Sequence, residues 1–589
     1  MNKYIGIDFG TTNSCVCYYT NTNYNLIPNE NGNYTTKSCV YFNPLSDEIL
    51  YGDTAYLCKD NISNFKRLLG VKYSDFQKDQ SLCYFFKHLH IVSGRENDFC
   101  EIVLKYNNRL HQFSIEYIIK LYMTHLLKRT REFLNLHETY DIHAVITVPV
   151  LFTNIQRTML KSIFELCNIH VIRIINEPTS AILPYVIDVA GKGFGKGAET
   201  ENVLVIDCGG GTTDFTVMEC DHNDTFFEVK YTSGDNFLGG EDITDNIYNY
   251  VVNSVTNSEG HVDELRKQCE KVKCLLSHQQ NASVYRESGG ASISISRSKF
   301  ININNDFFNK IRNGIRDCVD HVDRIDRIIL VGGTTRIPYF SQLCKDIFDN
   351  DICIENTLDQ EHVVSMGAAL QAYLLTKKDV NDDLDVTVLD VVPISLGVET
   401  DGGIMTSIIS RNSFIPISKT ETFSNADCEE SIDINIYQGE RKFVKDNLFL
   451  GTFSLPLQTT SRNSTYISVT FDINSDGILL VTSKGTSKGT SKGTSKGTSK
   501  GTDKGIVIDQ YIKSKGQAAY VYEYEYDDDY DKIKDSELAN KILAKIELNH
   551  KYEMYKRLNG DNCDSELVQK FKNMIDNFQN YTVEELLYF

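Results

Sequence analysis

Over roughly the first 384 residues, continuous runs of aliphatic residues alternate with stretches of helical periodicity. YIGIDFG (4–10), AVITVPV (144–150), VLVIDCG (203–209) and RIILVGG (327–333) are apolar on consecutive positions. Such runs suit strands covered on both faces. Between them lie IEYIIKLYMTHLLKRTREFL (115–134) and DELRKQCEKVKCLLS (263–277), which have the spacing of amphipathic helices. This alternation predicts an α/β layered region. After Pro393 the period shortens. SIDINIYQ, YISVTFDIN, GILLVTS and GIVIDQYI alternate mainly apolar with polar, the pattern of antiparallel strands with one buried face. From about Asp535 the pattern is helical again, in SELANKILAKIELNHKYEMYKRL and DSELVQKFKNMIDNF.

One segment has no apolar face. Residues 482–505 repeat T-S-K-G five times and T-D-K-G once, which predicts an expanded, solvated loop. It is cationic and stands close before the acidic YEYEYDDDYD (522–531). The chain as a whole has 60 basic and 80 acidic residues, net −20, a poor balance for holding nucleic acid through its phosphates. No apolar run reaches 18 residues, so no membrane span is expected. The start, MNKYIGIDFGTT, lacks the pattern of a secretory signal, and the end, EELLYF, matches no lipidation motif. The 16 cysteines include no C-x-x-C pair, which argues against a zinc site. A reduced, cytoplasmic setting is the expectation.

Candidate chemistry lies at the strand ends. Asp8-Phe9-Gly10-Thr11-Thr12 and Asp207-Cys208-Gly209-Gly210-Gly211-Thr212 each place a carboxylate at the end of an apolar strand, then turn through glycine into threonine. Glycines let backbone N–H groups approach phosphate oxygens, and the carboxylates suit Mg²⁺ held through water. Two such turns about 200 residues apart suggest duplicated lobes around one nucleotide. Val331-Gly332-Gly333-Thr334-Thr335-Arg336 is a third turn of this kind. GKGFGKGA (191–198) follows helix-like sequence and reads as an exposed loop instead.

GIDFGTTNSCV (6–16), FKRLLG (65–70), RIINEPTSAI (173–182), VIDCGGGTTDFTV (205–217), ILVGGTTRIP (329–338), DVVPISLGVETDGGIMT (390–406) and YQGERKFVKDN (437–447) closely resemble, in order, the signatures of the seventy-kilodalton heat-shock protein family, the DnaK-like chaperones. The resemblance runs from residue 3 to about 481. It implies an actin-like two-lobed ATPase domain with duplicated ribonuclease-H-like lobes (1–384) and an interdomain linker (385–391). An antiparallel β-sandwich peptide-binding domain (392–513) and an acidic segment with a short α-helical lid (514–589) would follow. The T-S-K-G repeat would fill the turn between the last two sandwich strands.

By the same resemblance, Asp8 and Asp207 would stand near Mg²⁺, K⁺ and the attacking water, and Lys66 would reach the γ-phosphate. Glu177 and Asp214 would organise water and metal. Phosphate contacts would come from Thr212, Gly10, Thr11, Thr12, Asn13, Gly209, Gly210, Gly211, Gly239 and Gly240. The nucleoside of ATP or ADP would meet Glu270, Lys273, Ser277, Gly332, Gly333, Arg336 and Glu361. Pro149 and Arg157, with the linker residues Asp385, Val388 and Leu389, would couple the domains. Ile394, Leu396, Val398, Phe423 and Ile432 would line a peptide channel, although each suits a sandwich core equally well. Asp401 and Ala426 would arch over the peptide, and an Asp there would favour basic peptides.

The implied function is an ATP-dependent chaperone for unfolded or nascent polypeptides, expected to act as a monomer with a J-domain cochaperone and a nucleotide exchange factor. The alternative is a catalytically weak regulatory or exchange-type relative. An actin-like sugar kinase would share the phosphate turns but not the β module.

The resemblance breaks at Cys274, where the family carries an Arg that stacks on adenine. Loss of that stack costs roughly 0.5–2 kcal/mol. Titration with ADP is therefore expected to show Cys274→Arg binding about 3- to 30-fold tighter than wild type; equal affinities would refute this.

Overall fold

The computed structural model describes residues 3–20, 23–95, 97–137, 140–189, 200–221, 226–254, 262–285, 292–348, 352–355, 357–376, 386–424, 431–456, 465–487, 503–507 and 521–523, with positions 569, 570, 572 and 574. Asp385, Ala426, the loop 191–198, the repeat core 488–502 and nearly all of the expected helical lid lie outside the described residues.

The apolar runs become the centres of two sheets. In the first, strands run in the order Ile169–Asn176, Ile142–Val148, Lys3–Phe9, Asn13–Thr20 and Asn23–Leu26. In the second the order is Cys353–Glu355, Arg327–Val331, Thr200–Cys208, Thr213–Asp221 and Phe226–Asp235. Pairing directions repeat as well: the central strand is parallel to one neighbour and antiparallel to the other in both sheets. Two copies of one arrangement account for the two Asp–Gly–Thr turns, because each turn follows the central strand of its own sheet.

Helices cover both sheets. Ile115–Phe133 starts on the Ser114 hydroxyl, which accepts from the Tyr117 N–H, and buries Ile118, Tyr122 and Leu126 with Ile5, Ile7 and Phe9. Val262–His278 packs Cys269, Val272 and Leu276 on the second sheet. Helix Val363–Leu374 follows the second sheet in the chain but packs against the first. There a Cβ on Gly6 would fall 2.1 Å from the Ala369 nitrogen.

Beyond the two sheets, Leu396–Thr400, Ile404–Ile409, Ser431–Gln438 and Leu448–Pro456 form one antiparallel sheet. Ile417–Ser424, Thr465–Ile473, Leu479–Ser487 and Asp503–Val507 form another. Val398, Ile434 and Leu455 of one share a core with Val469, Phe471 and Val481 of the other, as period-2 alternation requires. The T-S-K-G tract departs from a simple loop. Residues 482–487 continue one strand and 503–505 begin its partner, with Lys484 opposite Asp503. Threonine favours strands, and alternation turns Ser483 inward, where it is buried. The linker Thr387–Leu389 joins the second six-stranded sheet as its edge strand, parallel to Phe226–Glu228.

The crossing of helices Glu177–Val189 and Val363–Leu374 depends on Gly367. A Cβ there would lie 1.8 Å from the Ser180 carbonyl oxygen, whereas one on Gly451 would meet nothing within 4 Å. Gly367→Ala should cost about 2–4 kcal/mol and lower the melting temperature by roughly 5 °C or more, with Gly451→Ala close to neutral; calorimetry on both variants checks this.

Candidate functional site

The two Asp–Gly–Thr turns face each other at the ends of the two central strands. Their contact explains the glycines: a Cβ on Gly210 would fall 1.9 Å from Thr12 Oγ1, and one on Gly211 2.6 Å from Thr11 Cγ2. Gly332 has φ +82° and lies so close to Cys208 and Asp207 that a side chain has neither the conformation nor the room. Gly239 and Gly240 pack on the same loop. The Gly240 N–H donates to the Gly209 carbonyl at 3.0 Å, and the Glu241 N–H donates to the Gly210 carbonyl at 2.8 Å. The Gly209 N–H reaches the Thr212 carbonyl at 3.0 Å.

Below these loops the sequence-predicted charged residues converge. Lys66, on the short 3₁₀ turn Phe65–Leu68, is 2% exposed. Its Nζ donates to Glu177 Oε1 at 3.1 Å and to the Phe9 carbonyl. Asp8 accepts from Thr147 Oγ1 at 3.2 Å. Burial, then the nearby Glu177, pushes the Asp8 carboxyl up to about 7, while Lys66 and Thr147 pull it down. Asp207 and Asp214 are pushed well above the usual carboxylate range, by burial first and Glu177 second. Asp214 accepts from the Val150 N–H at 3.2 Å, but its other oxygen is buried with no partner among the described residues. A pocket with more buried carboxylates than cations, and one oxygen unpartnered, suits a positive ion. Among the described residues, no group of three or more His, Cys, Asp or Glu side chains is placed to hold a metal ion directly.

The nucleoside candidates stand on the second-sheet side. Lys273 Nζ donates to Glu270 Oε2 at 2.6 Å and to the Gly240 carbonyl at 2.8 Å. Thr244 also donates to Glu270, and the exposed Cys274 has its thiol 3.6 Å from Glu270 Oε1. Arg336 pairs with Asp359 at 2.9 Å and Glu361 at 3.4 Å. A cavity of about 390 Å³ opens beside them, lined by Asn13, Lys37, Asp53, Tyr56 and Glu361 among others. Ser277 shares the helix with Glu270 and Lys273, and its carbonyl accepts from Arg297 at 3.2 Å.

The coupling candidates form a second cluster. The Pro149 carbonyl accepts the Phe152 N–H at 3.1 Å, closing the turn ahead of helix Asn154–Leu166. From that helix Arg157 donates to the carbonyls of Phe152 at 3.2 Å and Val150 at 3.1 Å, and to Asn176 Oδ1 at 2.6 Å. It also reaches the Asp476 carbonyl of the β module at 3.5 Å. The Asp476 carboxylate accepts from Lys161 at 2.7 Å and from the Ile174 N–H at 2.9 Å. Asp390, just past the linker strand, accepts from Asn176 at 2.8 Å and Thr179 at 3.3 Å. Val388 and Leu389 sit in that strand.

Sequence reasoning missed Asp476, Asn176, Thr147 and Arg67. Arg67 donates to Asp242 and to the Gly211 carbonyl, both at 2.9 Å. Asn474 to Gly477 carried only a turn signal, and nothing local tells where that turn docks. Of the peptide-channel candidates, Leu396 and Val398 are buried in the sandwich core, Phe423 and Ile432 pack partly buried against it, and Asp401 is exposed beside two glycines of positive φ. Ile394 is half-buried.

A family model described as "Hsp70 protein" matches residues 4–585. Heat shock cognate 70 kDa protein 3 of Dictyostelium discoideum is 35% identical over 507 residues, covering 82% of this chain and 78% of that protein. No helix among the described residues is long and apolar enough to cross a membrane.

The raised Asp8 carboxyl sets a pH dependence. The folded chain holds this proton up to about 7, whereas the unfolded chain releases it near 3.8. The stabilisation is complete below the lower value and is lost as pH rises through the upper one. Without nucleotide or added metal, Asp8→Asn should melt within about 2 °C of wild type at pH 5 and about 5 °C or more above it at pH 8. A pH-independent difference in calorimetry would refute this.

Proposed function

The chain belongs to the Hsp70 family, a family of ATP-dependent chaperones, and from that premise we propose that it hydrolyses ATP to switch the peptide affinity of its β module. Residues 1–384 are assigned to the nucleotide-binding domain, 385–391 to the linker, 392–513 to the peptide-binding sandwich and 514–589 to the lid. Clients would be extended apolar segments of unfolded polypeptides, with a J-domain protein and an exchange factor as partners.

One observation carries the reading. The buried Lys66–Glu177 pair stands near Asp8, Asp207 and Asp214, and Asp214 is linked through Val150 and Arg157 to the Asp476 carbonyl of the docked β module. Magnesium bound with the nucleotide, and K⁺ if present, would neutralise phosphate charge that the acidic pocket alone would repel. Asp8, Asp207 and the open oxygen of Asp214 are the groups suited to hold that ion and its waters. Lys66 would be the fixed cation toward the transferred phosphoryl group, with Glu177 holding its ammonium in place. The glycine and threonine turns, Gly210 to Thr212 and Gly10 to Asn13, would present backbone N–H groups to phosphate oxygens. Burial raises the proton affinity of the Asp8 carboxylate, so in its ionised form it is suited to take a proton from an attacking water.

The coupling path is short. Val150 gives its N–H to Asp214 and its carbonyl to Arg157, and Arg157 reaches Asp476 and Asn176. Asn176 holds Asp390 beside the linker and is followed in the chain by Glu177. A change of charge at the phosphate site is thus felt one or two hydrogen bonds away from the docking contacts.

Steady-state ATPase assays, with and without a J-domain protein and an apolar peptide, test the reading. Wild type should turn over faster with both additions, and Lys66→Ala should lose roughly 10²- to 10³-fold. Wild-type turnover that no addition stimulates would favour a regulatory or exchange-type role.

A further inference from the structure

We infer that Tyr231 is a positioning residue for docking of the β module: its ring lies between the His321 imidazole and the Arg411 guanidinium, and this stack fixes the module against the second sheet. The inference rests on the ATP-coupled docking proposed above. It concerns residues with no part in the nucleotide site.

Tyr231 belongs to strand Phe226–Asp235 and is 4% exposed. His321, in the turn after helix Asn305–Val319, lies nearly parallel to its ring, with centroids 3.8 Å apart and planes 14° apart. The Tyr231 hydroxyl donates to Asp317 Oδ2 at 2.9 Å, and His321 Nδ1 lies 2.6 Å from the Asp317 carbonyl. One ring face is therefore taken, and the ring cannot swing. Arg411 of the β module comes over the same ring, with Cζ 4.8 Å from its centroid. With the imidazole stacked on one face, the guanidinium has the other.

The Arg411 mount is rigid. Its own N–H donates to Ser395 Oγ at 2.9 Å, and Ser395 is tied to Glu440 through its N–H at 2.7 Å and its hydroxyl at 3.0 Å. The next residue, Asn412, has φ +63° and donates to the Val392 carbonyl at 2.7 Å. One guanidinium nitrogen donates to the Thr232 carbonyl, while Nε is buried without a hydrogen-bond partner among the described residues. The Tyr231 ring is the favourable surface left to that desolvated part of the cation. Tyr231 and Thr232 are adjacent on the strand whose start, Phe226–Glu228, pairs with the linker, so the stack and the linker strand bear on the same strand. A partly desolvated contact of this kind shifts a docking equilibrium by roughly 3- to 30-fold.

Hydrogen exchange at residues 387–389 of the full-length chain, with saturating ATP, tests this. Tyr231→Ala and Arg411→Ala should each lower linker protection by about tenfold, and the double variant should lower it little further. Tyr231→Phe, which keeps the ring and loses only the hydroxyl, should stay near wild type. Because Tyr231 is buried, Arg411→Ala, on the half-buried turn after Ile409, carries the test if Tyr231→Ala fails to fold. Wild-type protection in Arg411→Ala, or full additivity of the two changes, would overturn the inference. A wild-type linker that gains no protection with ATP would instead overturn the coupling reading on which it rests.

Discussion

Arg157 is 4% exposed, and a cation so buried has to find its acceptors inside the protein. Its own loop supplies two carbonyls, from Val150 and Phe152. The remaining acceptors are Asn176, at the end of a strand of the first sheet, and the Asp476 carbonyl, in the β module. The most distant of these contacts exists only while the module is docked, and Lys161 and the Ile174 N–H fasten the same Asp476 through its side chain. Moving the module away would break the Arg157, Lys161 and Ile174 contacts to Asp476 together. The two parts therefore meet through an all-or-none arrangement more than through a graded apolar contact.

The same logic runs in reverse at the strand ends. Asp8, Asp207 and Asp214 are buried near Glu177 with one Lys66 to offset them, so the pocket is electrostatically strained toward protonation. A protein keeps such a site only if the surrounding packing over-determines it. Here that packing is the contact of glycine loop on threonine loop and the crossing of helices at Gly367. Rigidity in the scaffold and unsatisfied charge in the pocket are two sides of one arrangement.

Much of this could be read in the sequence. Continuous Val and Ile runs marked the central strands, and Asp-x-Gly with a following Thr marked their functional ends, because backbone approach to phosphate restricts the residue types allowed. Lys66 was legible only through its likeness to a family, since a lysine in F-K-R-L-L has no local sign of burial. Asp476 and Tyr231 were not legible. An Asn-Ser-Asp-Gly turn looks the same whether it faces solvent or another module, and a tyrosine in a strand looks the same whether its ring is stacked or merely packed. The T-S-K-G tract was misread at its ends: composition predicted a loop, yet strand pairing extends into the repeat because threonine and alternating side chains satisfy a ladder as well as a longer apolar run would.

The linker strand also has a consequence for self-association. While Thr387–Leu389 lies along Phe226–Glu228, the border of the second sheet is closed. Without that strand, a row of backbone N–H and C=O groups would be uncovered beside the apolar Phe226 and Phe227, a template on which another extended chain can pair. Glu228 and Lys230 stand on this border and form an ion pair at 3.0 Å, with Glu219 on the neighbouring strand 3.1 Å from the same ammonium. Charges so placed make pairing with a foreign strand costly while leaving room for three residues of the chain itself. A protein that handles sticky polypeptides thereby guards its own sheet from becoming one more nucleus for aggregation.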